Sequence, residues 1–469
     1  MSGSQPTAAD PLALSRQQPE LSASTPLVAS QKALLAGGCL LLLALSIWQP
    51  WPTARAFVLL STIYYLVFTL YKLLLVRLSV GRNAEINIGA EEANALRGED
   101  LPVFTILVPM YNEPDTVGQL VNALEKMDYP PEKKDVQLLL EQDDRETRRA
   151  VAALRLPDGF RVTLIPPSFP RTKPKACNIG LAEARGKYLV IYDAEDRPES
   201  DQLRKAVAGF ARMPPDVICL QCRLNFYNPR QNLLTRWFTA EYSAWFDLSL
   251  PGLSALGAVI PLGGTSNHFV TEKLRELLGW DAYNVTEDCD LGVRIYRKGY
   301  RSMMLNTTTW EEACSSWWFW IRQRTRWLKG YIQTYLVHMR HPRVLLKDLG
   351  LANFLHFQVL IGGIVFGFLI NPLYWFLAFL WVLFRLEVLT NLFPGLVFAA
   401  GTLCLFAGNF VFAYVGAVGC YKRGYYDLVK YALLSPAYWV LMSYSGWRAF
   451  FKFFADPFHW EKTKHGLAK

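Results

Sequence analysis

The sequence predicts an α/β fold in which a mixed, mostly parallel sheet with flanking helices is embedded between membrane-spanning α-helices. Of the 469 residues, 52% are hydrophobic and only 19% are charged. The long apolar runs lie toward both ends of the chain. Between them, residues 100–345 alternate short β-branched or leucine-rich runs with helical patterns. Alternating strands and helices are typical of a sheet whose strands run largely parallel.

The first 80 residues predict a tail followed by a helical hairpin. Residues 1–30 are rich in Ser, Ala, Pro and Gln and have no periodicity, which predicts a disordered cytoplasmic tail. Residues 31–80 contain two apolar runs, 34–48 and 56–76, and a helix over the second run is long enough to cross a bilayer. Basic residues follow the second run, so the positive-inside rule places the next segment in the cytoplasm.

Residues 350–448 predict a transmembrane bundle of about four further spans, which gives about six in all. The four apolar runs are residues 354–370, 373–389, 396–418 and 431–447. Six spans place both chain ends inside but leave Lys422 and Arg423 outside, against the positive-inside rule. Either that loop is an exception or one segment lies in the membrane interface. Residues 449–469 are expected to form a cytoplasmic tail.

The net charge of +9 excludes few partners by itself. The basic residues gather beside the apolar stretches, where they suit anchoring to anionic membrane lipids. We therefore expect membrane lipids as partners, and no nucleic acid. The eight cysteines are scattered and predict neither disulfides nor a zinc site.

Polar side chains follow the predicted strands at the sheet edge where ligands of parallel sheets bind. The strand predicted at residues 104–108 leads into Tyr111, Asn112 and Glu113. Aromatic and amide groups at this position suit stacking on and hydrogen bonding to a nucleotide base. A proline-bounded turn with Asn as a helix cap explains the same residues equally well.

The loops after the next two predicted strands carry acids and lysines. Glu141, Asp143 and Asp144 follow residues 136–140, and helix capping accounts for only one or two of them. A remaining carboxylate could hold a ribose or uracil. Lys173 and Lys175 precede a predicted helix, where cations and backbone amides could meet a diphosphate, although a solvated basic loop is the simpler interpretation.

A wholly apolar strand at residues 188–192 runs directly into Asp193, Glu195 and Asp196. Acids at the end of a buried strand are costly unless they are paired or bound to metal. Oxygen ligands two residues apart, Asp193 and Glu195, suit Mg²⁺ or Mn²⁺. The ion would neutralise a departing diphosphate.

A second acidic cluster, Glu287, Asp288 and Asp290, follows Thr286 at the start of a probable helix. Thr286 can cap that helix, but capping does not explain every neighbouring acid. Transfer of a sugar with inversion needs a carboxylate that accepts a proton from the acceptor hydroxyl, and Asp288 is the candidate base.

An aromatic and basic helix is predicted around residues 317–327. Tryptophan and arginine beside a membrane commonly form an interfacial belt. They also suit stacking on a sugar ring and gripping a phosphate. The residues concerned are Gln323, Arg324, Arg326 and Trp327.

Together and in this order, the motifs resemble those of the membrane-embedded, cellulose-synthase-like enzymes of glycosyltransferase family 2, whose catalytic domain has the GT-A fold. Tyr111-Asn112-Glu113-Pro114 resembles the family's uracil-side motif. Asp193-Ala194-Glu195 stands at its Asp-x-Asp metal motif. Thr286-Glu287-Asp288 resembles its Thr-Glu-Asp motif, and Gln323 to Trp327 its Gln-x-x-Arg-Trp motif. The resemblance covers roughly residues 100–345.

The resemblance implies roles for further residues. Gln323, Arg326 and Trp327 would serve the acceptor glycan and the diphosphate. Residues 263–268 resemble the family's loop beneath the acceptor sugar, in which His268 is either a substrate contact or a loop hydrogen bonder. Residues 458–464 resemble a gating loop that closes over the nucleotide. Its last residues are Lys462, Thr463 and Lys464.

Two departures from the family pattern leave alternatives open. The first acidic motif does not decide whether Glu141, Asp143 or Asp144 binds the nucleotide, and the metal motif has Glu195 in place of a second aspartate.

The resemblance implies a processive inverting hexosyltransferase that uses a UDP-sugar donor, first of all UDP-glucose, and a growing glycan acceptor. It also implies an integral protein of the bacterial inner membrane with a cytoplasmic catalytic domain, and accessory subunits as partners. The alternatives are transfer of one sugar to a membrane lipid and a non-catalytic export subunit.

Overall fold

A computed structural model describes residues 10–80, 84–385, 387–393 and 395–461. Its centre is an eight-stranded sheet. The strands are β1 (Phe104–Met110), β2 (Lys134–Glu141), β3 (Phe160–Ile165), β4 (Tyr188–Ile191), β5 (Arg197–Pro198), β6 (Val217–Phe226), β7 (Asn267–Val270) and β8 (Arg301–Glu311). Their order across the sheet is β3-β2-β1-β4-β7-β6-β8-β5.

The sheet is mixed and mostly parallel, as the sequence predicts. The pairs β1–β2, β2–β3, β1–β4 and β6–β8 are parallel. Strand β7 is antiparallel to both β4 and β6, and β5 is antiparallel to β8. The four strands predicted from apolar runs are β1 to β4.

Helices precede, flank and follow the sheet. Before it come α1 (Ala13–Gln17), α2 (Ala29–Trp48), α3 (Pro50–Ser79) and α4 (Ala90–Ala95). Around it lie α5 (Val117–Glu125), α6 (Arg145–Ala152), α7 (Lys173–Glu183), α8 (Gln202–Arg212), α9 (Leu233–Ala244), α10 (Leu250–Leu256), α11 (Thr271–Glu276), α12 (Glu287–Arg297) and α13 (Trp317–His338). After it come α14 (Pro342–Phe357), α15 (Gly363–Phe384), α16 (Glu387–Leu392), α17 (Gly395–Leu403), α18 (Asn409–Lys422), α19 (Val429–Leu433) and α20 (Ser435–Ala455).

Short 3-10 and π turns complete these elements. The 3-10 turns are Pro19–Leu21, Gly98–Asp100, Pro131–Lys133 and Tyr426–Leu428, and the π turns are Trp245–Ser249, Gln358–Gly362 and Cys404–Gly408.

The core lies on both faces of the sheet, because successive side chains of a strand point to opposite sides. Leu107 of β1 and Leu189 of β4 belong to the core on one face. Ile106, Val108 and Val190 belong to the core on the other face. Burial on both faces explains why these strands are continuous apolar runs.

Residues 10–28, which belong to the tail predicted to be disordered, pack on the region around the sheet. Ser22 Oγ donates a hydrogen bond of 2.9 Å to Asp281 Oδ1, and the Ala23 N–H donates to Asp281 Oδ2 at 2.5 Å. Leu14 and Ala23 are buried. The low-complexity composition misled the prediction because long-range partners, rather than local periodicity, hold this segment. We call residues 10–28 the N-terminal strap.

Within the described residues, four helical segments are long and apolar enough to cross a membrane. They are Ala29–Trp48, Pro50–Ser79, Pro342–Phe384 and Gly395–Lys422. The count of six is not confirmed. The break predicted at Pro372 is wrong, because α15 continues through that proline. A kink does occur earlier, at Gly350, whose φ is 72°.

The basic end of α18 lies against the catalytic region. Arg423 Nε donates to Asp247 Oδ2 at 2.6 Å, and Lys422 Nζ donates to the Asp247 carbonyl at 2.8 Å. Asp247 is 1% exposed, so this carboxylate needs a cationic partner. The sequence left two explanations for Lys422 and Arg423: their loop is an exception to the positive-inside rule, or one segment lies in the membrane interface. Because both residues contact Asp247 beside the sheet, the second explanation is favoured, with the interfacial segment further along the chain.

We predict that Arg340→Ala loosens the N-terminal strap. Its buried guanidinium donates to the Pro19 and Glu20 carbonyls at 2.9 Å and to the Thr25 carbonyl. Loss of these charge-assisted bonds should cost about 2 kcal/mol of stability. Limited proteolysis should cut residues 10–28 faster, whereas Arg343→Ala at an exposed position should not change the rate. Equal cleavage rates in the two variants would contradict the prediction.

Candidate active site

One cavity of about 1140 Å³ joins the sheet edge to the apolar helices. Asp193 and Asp288 line it at the sheet, and Phe368, Trp375 and Phe412 line it among α15 and α18. Single ligand pockets commonly enclose about 300–1,000 Å³. The cavity therefore has room for more than one small molecule at a time.

The loop after β1 brings Tyr111 and Glu113 to the cavity wall. Asn112 has a left-handed backbone, with φ of 51°, and its N–H donates to Asp144 Oδ2 at 2.6 Å. Asp144 Oδ1 also accepts a 3.1 Å bond from the Thr147 N–H at the start of α6. Asp144 is therefore a helix cap outside the cavity, and Asn112 contributes the turn rather than a side chain on the cavity wall.

Glu141 and Asp143, the other acids of the second loop, do line the cavity. Burial raises the pKa of Glu141, although the charge of Lys175 opposes the rise. Asp143 forms a 2.6 Å ion pair with Arg171, which the sequence argument did not single out. Lys175 does not reach the cavity, because its Nζ donates to the Ser168 carbonyl at 3.1 Å and supports that loop.

Lys173 stands at the centre of the acidic groups. Its Nζ is ion-paired with Asp193 and donates to the Gly264 carbonyl at 2.7 Å. A Cβ on Gly264 would lie 3.3 Å from Asp288 Oδ2 and 3.8 Å from Lys173 Nζ. The absence of a side chain at Gly264 lets Asp288 and Lys173 lie close to each other.

Carboxylates crowd around the ends of β4 and β8. Burial, together with the charges of Asp193 and Glu113, raises the pKa of Glu195 well above its usual value. Burial and the charges of Asp193 and Glu195 do the same for Asp196, and burial with these neighbours raises the pKa of Glu311. A cluster of ionised carboxylates is unfavourable unless a positive charge lies close to it.

The crowded carboxylates fit a hard divalent cation. Asp196 Oδ1 is buried and, among the described residues, has no hydrogen-bond partner. The described residues contain no group of three or more His, Cys, Asp or Glu side chains that could hold a metal ion. Mg²⁺ and Mn²⁺ commonly take one or two carboxylates and complete their shells with water and substrate phosphate. Asp193 and Glu195, which both line the cavity, would be those carboxylates.

Asp288 lies in the first turn of α12 and faces the cavity. Burial raises its pKa to about 6, although a backbone hydrogen bond and the charges of Lys173 and Arg326 oppose the rise. Burial and the charge of Asp288 raise the pKa of Glu287 to about 8. Asp288 is thus the more acidic of the pair and carries the negative charge at neutral pH.

Thr286 does not cap α12 with its hydroxyl, contrary to expectation. Its Oγ1 is buried without a hydrogen-bond partner among the described residues, and its side chain packs on Gly330 of α13. The Thr286 N–H donates to Asn284 Oδ1 at 3.0 Å, so the neighbouring asparagine shapes this turn. Close packing at Gly330 positions α13 against the loop that carries Asp288.

Helix α13 presents two kinds of surface to the cavity. Gln323, Arg326 and Trp327 line the cavity. Arg324 also lines it but is engaged by Glu241, with bonds of 2.7 and 2.5 Å, and Glu241 accepts a 2.6 Å bond from the Tyr438 hydroxyl. This pairing leaves Arg324 less suited than Arg326 to bind a diphosphate.

His268 lies in the sheet core rather than in the cavity. Strand β7 places its ring against Phe104 and Tyr192, with ring centroids 5.8 and 6.3 Å away. Burial lowers its pKa to about 3, so the ring is neutral. The prediction of a substrate contact is wrong, because the strand alternation turns this side chain inward.

The segment after α20 folds back onto α13. Lys329 Nζ donates to the Asp456 and His459 carbonyls at 2.9 and 3.0 Å, and Arg326 lies 4.2 Å from the centre of the Trp460 ring. The start of the predicted gating loop thus reaches the cavity. Its last residues, Lys462, Thr463 and Lys464, lie outside the described residues.

Three residues at the cavity were not predicted from the sequence: Glu311, Glu241 and Tyr438. Glu311 ends β8 in the same way that Asp193 follows β4, after a run rich in β-branched residues. That pattern could have revealed it. Glu241 and Tyr438 carry no local signal, because they meet only through the packing of α9 and α20.

The chain matches two protein families. The family described as glycosyl transferase family 2 matches residues 105–261, and the one described as glycosyl transferase family group 2 matches residues 188–400. The chain is also similar to a beta-monoglucosyldiacylglycerol synthase of Synechocystis sp. It is 28% identical to it over 271 residues, which are 55% of either protein.

A probable glucomannan 4-beta-mannosyltransferase of Arabidopsis thaliana is 25% identical over 235 residues, which cover 47% of this chain and 41% of that protein. The chain spans about half the length of the curated relatives it matches. Among solved structures, a mannosyltransferase of Pyrobaculum calidifontis, in complex with GDP-Man and Mn²⁺, superposes with a TM-score of 0.53 at 19% identity. The match covers 82% of this chain and 98% of that one, and it supports the GT-A-like fold.

We predict that Gly330→Ala disturbs the site through α13. The added Cβ would lie 2.7 Å from Thr286 Cβ, so α13 or the Thr286 loop must move. The expected results are a loss of about 1–3 kcal/mol of stability and a roughly tenfold slower reaction from misplacement of Asp288. Thermal unfolding and initial rates measure them. Gly118→Ala on α5, which has open space around the glycine, is the matched control and should retain full activity. Full activity of both variants would contradict the prediction.

Proposed function

Because the chain belongs to glycosyltransferase family 2, we propose that it is a processive, inverting hexosyltransferase of the cellulose-synthase-like kind. It polymerises a UDP-hexose, first of all UDP-glucose, into a β-linked polysaccharide and passes the product across the bacterial inner membrane. The observation that carries the proposal is the single cavity that leads from Asp288 to the apolar helices α15 and α18. A growing chain can remain there between additions.

The chemistry assigned to Asp288 is general-base catalysis. Asp288 accepts the proton of the acceptor's terminal hydroxyl while that oxygen bonds to the anomeric carbon of the donor sugar. The bond from this carbon to the diphosphate breaks, and its electron pair leaves with UDP. The pKa of about 6 keeps Asp288 ionised at neutral pH yet basic enough to take the proton.

The cations of the site suit the leaving diphosphate. Lys173 and Arg326 face the cavity beside Asp288, and Arg326 is poised between the acids and Trp460. Tyr111, Glu113, Glu141 and Asp143 are the proposed contacts of the nucleoside. A Mg²⁺ or Mn²⁺ ion, held by Asp193 and Glu195, would supply further positive charge to the diphosphate.

The proposed membrane arrangement has four spans, α2, α3, the segment Pro342–Phe384 and the segment Gly395–Lys422. With the catalytic region in the cytoplasm, this count returns Lys422 and Arg423 to the cytoplasmic side, in agreement with the positive-inside rule. The ion pair of Arg423 with Asp247 supports that placement. Helix α20 then lies at the membrane interface.

Transfer of one sugar to a membrane lipid is the second candidate. The similarity to the beta-monoglucosyldiacylglycerol synthase of Synechocystis favours it. The cavity would then receive the lipid head from between the apolar helices.

The test of the proposed function is product analysis with radiolabelled UDP-glucose and purified full-length protein in lipid nanodiscs. A polymer that resists extraction into organic solvent and is degraded by β-glucanases is the expected product. If the label is found only in the lipid phase, the protein transfers a single sugar to a lipid and does not make a polymer. If Asp288→Asn supported full polymer synthesis in cells, the chain would be an export subunit instead.

We predict that the transfer rate depends on the ionisation of Asp288. Its folded pKa is about 6, so the active, unprotonated form is lost as pH falls through 6. The rate should drop up to tenfold for each pH unit below that value and should level off above pH 7. Asp288→Asn should lower the rate by about 10²–10⁴-fold at pH 7 and above and should abolish the fall in rate below pH 6.

The matched control is the exposed acid Glu272, whose change to Gln should leave the pH profile as it is. Values of kcat/KM for the donor across about pH 5–9 measure the profile, because kcat/KM reports the pKa values of the free enzyme. A rate independent of pH between 5 and 7 would remove Asp288 as the base.

A further inference from the structure

We propose that Lys173 and the divalent cation are alternative partners of Asp193, and that the donor diphosphate decides between them. The inference rests on the metal-assisted donor binding of the proposed function. When no diphosphate is bound, Lys173 forms an ion pair with the Asp193 carboxylate. A bound diphosphate attracts the ammonium group of Lys173, and the Asp193 carboxylate then becomes available to the metal.

The contacts of Lys173 carry the first step. The side chain is only 13% exposed and its Nζ contacts Asp193 Oδ1, a carboxylate oxygen of the kind that a metal ion requires. The second contact of Nζ is the Gly264 carbonyl at 2.7 Å. Both contacts are at one end of a flexible side chain, so Nζ can move within the cavity without a change in the backbone.

The charges around Lys173 carry the second step. Asp193 and Glu287 interact electrostatically with the ammonium group, and Asp288 lies across Gly264 from it. A metal ion on Asp193 would place a divalent cation and an ammonium group on one carboxylate, and their repulsion weakens the binding of both. Lys173 can leave only if another anion receives it.

The donor diphosphate is the anion of suitable charge. It would enter the cavity that Lys173 lines and offer several oxygen acceptors to the ammonium group. Lys173 then neutralises the diphosphate, and Asp193 becomes a metal ligand. Metal and donor therefore bind with positive coupling, which by linkage is equal in both directions.

The experiment measures Mn²⁺ binding by electron paramagnetic resonance on purified full-length protein, with and without UDP and with no sugar transfer required. Lys173→Met should bind Mn²⁺ about tenfold more tightly than wild type when UDP is absent. It should also lose most of the tightening that UDP produces in wild type. Lys173→Arg keeps the charge and should behave like wild type.

Two further variants separate direct competition from general electrostatics. Arg326→Met removes another cation of the same cavity that has no ion pair with Asp193 among the described residues, so its Mn²⁺ affinity should rise much less. Lys187→Met removes an exposed lysine and should change nothing. Thermal unfolding confirms that each variant is folded.

The outcomes distinguish the two proposals. If wild type binds Mn²⁺ with UDP but Lys173→Met binds it no more tightly without UDP, the competition is wrong and the proposed function stands. An equal gain in Lys173→Met and Arg326→Met also overturns the competition. If wild type binds no Mn²⁺ even with UDP, the metal site of the proposed function fails, and this inference fails with it.

Discussion

The repulsion among buried carboxylates at the ends of β4 and β8 is the constraint on which the site depends. Burial, together with the charge of Asp193 and other neighbouring acids, raises the pKa values of Glu195, Asp196 and Glu311, and a nearby cation opposes this repulsion. Lys173 supplies that charge from the first turn of α7. The parallel strands bring the acids together, since the carboxyl ends of β1, β2 and β4 share one edge of the sheet.

A second constraint fixes the catalytic region to the apolar helices. The buried Asp247 holds Arg423 at the end of α18, and Arg223 lies 3.4 Å from the same carboxylate. On the other side of the cavity, Glu241 joins Arg324 of α13 to Tyr438 of α20. In each of these pairs, the charge of one side chain is stabilised by its partner. Removal of one partner would leave the other charge uncompensated. The cavity wall is thus made from both parts of the chain.

Local patterns were sufficient to predict the sheet strands and the main acidic motifs. The apolar runs at residues 104–108 and 136–140 became β1 and β2, because strands buried on both faces have no polar alternation to obscure them. Asp193 and Asp288 reached the cavity because they lie after the end of a strand and in the first turn of a helix, positions that decide where such side chains lie.

The errors arise where distant parts of the chain decide the outcome. Asp144 caps α6 through a local bond from the Thr147 N–H, but its second bond, from the Asn112 N–H 32 residues earlier, has no local signal in the sequence. His268 turns inward because β7 inserts between β4 and β6. Pro372 passes through α15 without a break, because an apolar environment favours the continuous helix over exposed backbone groups. Periodicity and composition contain no information on such pairings.

The N-terminal strap imposes an order on the synthesis of the protein. Its residues leave the ribosome first, yet Asp281 lies 259 residues beyond Ser22, and Arg340 lies 321 residues beyond Pro19. At roughly 5–20 residues per second, that delay is on the order of half a minute. During it, α2 and α3 have already emerged and can enter the membrane. The strap can therefore dock only after α2, α3 and its distant partners Asp281 and Arg340 have all been synthesised.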